Sequence, residues 1–111
     1  MKKYIIFLFL FLISEYSNAV PSGDELLKAC EKSLKNGFQS AAGMMCVWYV
    51  TPCDCHDGKD SDILRVCLPE EIEEEFLARM VIEGLKANPY LKSKTAEIAA
   101  SEILAPKYPC D

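Results

Sequence analysis

The residues with the densest chemistry are crowded into Cys53-Asp54-Cys55-His56-Asp57. Two thiols and an imidazole are ligands for copper(I) or zinc, and a thiol beside an imidazole is the pairing used by cysteine nucleophiles. Neither chemistry is completed. Zinc sites space their cysteines by two or more residues and need a second ligand pair, and the sequence has no Cys-x-x-Cys and only one histidine. A catalytic cysteine needs a converging base that a third group orients, which adjacent residues on one loop rarely supply. Gly-x-Ser-x-Gly, His-Glu-x-x-His and phosphate-cradling glycine loops are absent. The sequence therefore reads as a non-enzyme without metal or cofactor, with His56 a solvated loop histidine.

The cysteines are better read as architecture. Lys2 and Lys3 precede an apolar run over residues 4–13, and Ser17-Asn18-Ala19 offers small residues for cleavage, the pattern of a secretory signal peptide over residues 1–19. The run falls short of the about 20 residues that span a membrane. No cysteine follows the cleavage point where lipid attachment would need one. Residues 20–111 then form a single exported domain in an oxidising compartment, where six cysteines make a bridge framework whose full pairing is open. Of 12 Lys and Arg and 17 Asp and Glu, loss of Lys2, Lys3 and Glu15 leaves ten against sixteen, a net charge of about −6. So acidic a chain lacks the cationic footprint that phosphates require, which argues against nucleic acid and anionic membrane as partners and for a basic protein surface.

Hydrophobic spacing supplies the elements. Ser22-Gly23-Asp24-Glu25 is a capping box, and Leu26, Leu27, Cys30 and Leu34 follow at helical spacing until Asn36-Gly37. A second helix is expected over residues 38–50, stopped by Thr51-Pro52, with Met44, Met45, Trp48 and Tyr49 as core and hairpin packing. A short turn makes these two helices an antiparallel hairpin and places Cys30 and Cys46 at matching distances from it, so they are the first expected disulfide. Residues 52–62 read as loop, and Ile63, Leu64, Val66 and Cys67 as one apolar turn. Pro69 is expected in the first turn of a long third helix whose start carries Glu70, Glu71, Glu73, Glu74 and Glu75. Its stripe would hold Ile72, Phe76, Leu77, Met80, Val81 and Leu85, ending at Asn88-Pro89. A fourth helix is expected from near Ser93 to Pro106, with Ala96, Ala99, Ala100, Ile103 and Leu104 inward. Cys110 reads as a terminal staple with Cys67 as acceptor. The fold class is all-α, a small disulfide-stabilised bundle of four to five helices.

Taken in order, Gly23-x-x-Leu26-Leu27-x-x-Cys30, Cys46-x-x-Tyr49-Val50, Cys67-Leu68-Pro69, Asn88-Pro89, the alanine-rich helix and Tyr108-Pro109-Cys110 resemble the Rap1a/Tai immunity proteins. Trp48 and Pro52 stand where that pattern commonly has glycine, and Cys53 and Cys55 are additional to its four cysteines. The resemblance implies a helical periplasmic protein that binds a cognate peptidoglycan amidase effector of type VI secretion and blocks its active site. It also allows a homodimer. The expected contacts are Asp54, His56 and Asp57 on the loop and Glu70, Glu71 and Glu74 on the acidic run. A different class, a small periplasmic acid-stress chaperone, is the competing reading, because sixteen carboxylates lose much of their charge below about pH 4.

Overall fold

The computed structural model describes residues 20–52 and 63–110, and among these it contains four α-helices, one 3-10 helix and no strand. Helix α1 spans Gly23–Asn36, α2 Ala41–Val50, α3 Glu74–Ala87 and α4 Ala96–Leu104, with the 3-10 helix Pro89–Ser93 between the last two. The fold is the all-α bundle expected from the sequence.

Helix α1 is the centre of the bundle, touching every other helical element. The Ser22 hydroxyl accepts from the Glu25 amide at 3.2 Å, which satisfies one of the donors left open at a helix start. Asp24 and Glu25 in its first turn suit the positive end of the helix dipole. Gly37 ends it with φ 91°, a backbone conformation that side chains disfavour. Between these signals Leu26, Leu27, Ala29, Cys30 and Ser33 form the buried face.

The second helix starts three residues later than expected. Phe38 and Gln39 lie in the turn, and the Ser40 hydroxyl accepts from the Gly43 amide at 3.1 Å as the cap. Cys30 and Cys46 are bonded across the resulting hairpin with their Cα atoms 5.0 Å apart, and both residues are fully buried.

Helix α3 also departs from expectation, and the cause lies upstream. Cys67 is bonded to Cys110, and its amide donates to the Tyr108 carbonyl at 2.9 Å. These two bonds hold the chain beside the C-terminal tail, so Glu70 and Glu71 form a turn and the helix opens only at Glu74, four residues beyond the end of Leu68-Pro69-Glu70. Pro69 is therefore not a first-turn residue. The apolar turn expected at residues 63–67 is likewise absent: these residues have no regular structure, Val66 is buried and Leu64 is 48% exposed. On α3, Leu77, Ala78, Met80, Val81, Ile82 and Leu85 are buried, whereas Phe76 is 54% exposed. Phe76 lies five residues before Val81, about 140° around the helix from the middle of the buried stripe.

The stretch after α3 is the 3-10 helix, and α4 begins at Ala96 under a Thr95 cap rather than near Ser93. Ala96, Ala99, Ala100, Ile103 and Leu104 face the core. The chain just before α1 is clipped to the start of α4: Gly23 donates to the Lys94 carbonyl at 2.7 Å, and Ala96 donates to the Pro21 carbonyl at 2.9 Å. Ser101 is the polar counterpart of this packing. Its buried hydroxyl donates to the Ile98 carbonyl at 2.9 Å and accepts from the Leu64 amide at 3.1 Å. Ser101→Ala leaves that amide without its acceptor and is expected to cost about 1–2 kcal/mol, measured as a shift in urea midpoint at unchanged slope.

Candidate functional site

Helix α2, AAGMMCVWYV, is apolar on every face, yet only Gly43, Cys46 and Val50 are buried. The remaining positions must meet solvent or another surface. Met44 is 67% exposed and Trp48 is 75% exposed, one helical turn apart. Both were expected in the core; the hairpin covers only one stripe of α2, and these two side chains point away from it. Tyr49 and Phe38 are partly buried and pack against the core.

These residues line a groove. Phe38, Met44, Val47, Trp48 and Tyr49 form its apolar part, and Thr51, Pro52, Glu74 and Glu97 also line it, around a cavity volume of about 590 Å³. The rings of Phe38 and Tyr49 are held by core contacts, and the α1–α2 disulfide fixes the backbone beneath them.

The expected contact residues divide into two groups. Glu74 sits in the first turn of α3 and lines the groove, while Glu70 and Glu71 are exposed in the turn that precedes α3. Among the described residues no ion pair engages Glu70, Glu71, Glu73 or Glu74, whereas Glu75 pairs with Arg79 at 3.0 Å. Among the described residues, then, no cation stands in ion-pair contact with these four glutamates. Asp54, His56 and Asp57, with Cys53 and Cys55, fall outside the described residues. Cys30 and Cys46, and Cys67 and Cys110, are joined as two disulfides.

The residues that line the groove offer aromatic rings, a thioether and carboxylates. Among the described residues no group of three His, Cys, Asp or Glu could hold a metal ion, and no helix is long and apolar enough to cross a membrane. The family model of the Rap1a immunity proteins matches residues 22–110, from the capping serine of α1 to the final cysteine. The chain belongs to the Rap1a immunity protein family. That match takes in all four helices and both disulfides of the described structure. No curated protein and no solved structure matches the chain.

Membership of the Rap1a immunity proteins sets the class of the molecule, and the groove is a feature that sequence reasoning passed over. Two signals pointed to it. A ten-residue helix with no polar face cannot be covered by one hairpin partner, and Trp48 and Pro52 replace glycine in the pattern by which the chain resembles its family. Both replacements line the groove.

Proposed function

We propose that this protein is a periplasmic immunity protein that binds a peptidoglycan amidase effector delivered by type VI secretion and blocks its active site. The observation that carries the reading is the Rap1a immunity family match over residues 22–110. The remaining features agree with it. Two disulfides suit an oxidising compartment. The sequence before Val20 has the pattern of an export signal, removal of which leaves residues 20–111 as one domain. Inhibition of this kind is steric: a rigid, preorganised surface excludes substrate from a cleft, while acidic residues speed the encounter with a basic rim.

The test is protection of cells. Bacteria receiving the amidase in the periplasm are expected to survive when the full-length chain is exported and to lyse when residues 20–111 are retained in the cytoplasm. Purified residues 20–111 are expected to stop peptidoglycan cleavage at one binding equivalent of the amidase. An exported protein that leaves the amidase fully active, yet keeps unrelated proteins soluble after acidification, would overturn the immunity reading in favour of a chaperone.

A further inference from the structure

We propose that the groove beside α2 receives an arginine- or lysine-bearing segment of the effector, with Trp48 as the principal anchor. The inference rests on the immunity reading above and adds the surface and the chemistry of what it binds.

Three observations converge on it. A helix that is apolar all round is ordinarily covered, and α2 is covered on one stripe only. Trp48 and Met44 are the most exposed large apolar side chains of the four helices, and they stand one turn apart over a concave surface whose other rings are fixed by the core. Tryptophan is among the side chains that most often dominate interface energies once a partner buries them. The third observation is charge. Glu74 lines the groove and belongs to a run, with Glu70, Glu71 and Glu73, that no described cation neutralises. A guanidinium or ammonium group brought by the partner would stack on the indole face and meet the Glu74 carboxylate, while its methylene stem lies along Met44 and Val47.

The same charge argument selects the effector over a second copy of this chain. A symmetric contact through α2 would bring a second set of glutamates without described ion-pair partners to the same surface, and like charges facing one another are costly. A basic partner removes that repulsion instead of doubling it.

Trp48 is the sole tryptophan, so its fluorescence reports on this surface alone. The experiment uses residues 20–111 and a purified type VI peptidoglycan amidase effector from the same bacterium. On binding, the emission is expected to shift to the blue and become shielded from acrylamide. Trp48→Ala is expected to weaken binding by about 30-fold or more with no loss of thermal stability, since the side chain is exposed. Joint replacement Glu70→Lys, Glu71→Lys and Glu74→Lys is expected to slow association by about 10-fold at low salt and to flatten its salt dependence. If the amidase is bound and inhibited while the Trp48 signal and the Trp48→Ala affinity are unchanged, the groove assignment is wrong and the immunity reading stands. If no purified amidase effector binds the unaltered chain, both fail. Shielding of Trp48 that grows with protein concentration in the absence of effector, with effector binding unaffected, would assign the groove to a second copy and overturn the proposal.

Discussion

With its two described disulfides reduced, the protein is expected to unfold at about 37 °C. The Cys67–Cys110 bridge spans a sequence separation of 43 and the Cys30–Cys46 bridge one of 16. Chain-entropy arguments give about 4 and about 3 kcal/mol for loops of these lengths. A domain this small has a total stability of about 5–10 kcal/mol, so losing both bridges removes most of it. The effects differ in kind. Cys30 and Cys46 are fully buried between α1 and α2, and replacing both by alanine also leaves empty space in the core. The Cys67–Cys110 bridge instead anchors the tail beside the segment that carries buried Val66. Thermal melts followed by circular dichroism, with and without reductant, and on each double alanine variant, would measure this. A fall of only a few degrees on full reduction would show that the core carries the fold unaided.

Gly23→Ala is expected to be among the most damaging single substitutions, at about 3 kcal/mol, although alanine normally strengthens a helix by about 1 kcal/mol over glycine. The reason is the clip at the start of α1. A Cβ at this position would overlap the backbone carbonyl of Leu91 and crowd the Lys92 Cα, atoms that cannot rotate away. The Gly23 amide is bonded to the Lys94 carbonyl at the same point, so relief of the overlap breaks that bond. Gly84→Ala is the natural control. There a Cβ would lie 2.7–2.8 Å from Cγ1, Cγ2 and Cδ1 of buried Ile103, a β-branched side chain that no χ1 rotamer clears, so relief needs a small shift of α4, partly offset by the gain in helix propensity. Urea unfolding should rank Gly23→Ala below Gly84→Ala, because its overlap is deeper and with backbone. A Gly23→Ala protein as stable as the parent would mean that α1 and the 3-10 helix are further apart than the structure has them.

What was legible beforehand follows the presence of directional local signals. Ser22 and Glu25 before an i, i+3, i+4 stripe, closed by Gly37, define α1 within a residue or two. The buried alanines of α4 follow from spacing in the same way. The expected and observed starts of helices differ where the capping residue is overshadowed. Ser40 and Thr95 both cap, yet Phe38 and Ser93 looked like acceptable first residues because apolar or polar character continued through them. At α3 the start depends on a bridge to a residue 43 positions away, which no window of local sequence contains, and Glu73 makes no side-chain capping bond to advertise it. The outward placing of Met44, Trp48 and Phe76 illustrates a related limit. On α2 every position is apolar, so periodicity carries no information about which face turns inward, and only the packing of the hairpin decides it.

The two bridges lie in series along the chain rather than interlaced: one closes a ring holding α1 and α2, the other a ring holding α3, the 3-10 helix and α4. Each pair of partners lies within its own half, so either half can be oxidised without waiting for the other to fold. A single peptide-bond cut between Cys46 and Cys67 would leave two cyclised fragments that neither bridge joins. Those fragments would share the contacts of α1 with α3 and α4, together with the Glu31–Lys86 ion pair and the Gly23–Lys94 clip. The molecule is in this sense already divided into two pieces suited to reassembly, and co-expressed halves offer a split reporter whose reunion signals a correctly folded bundle.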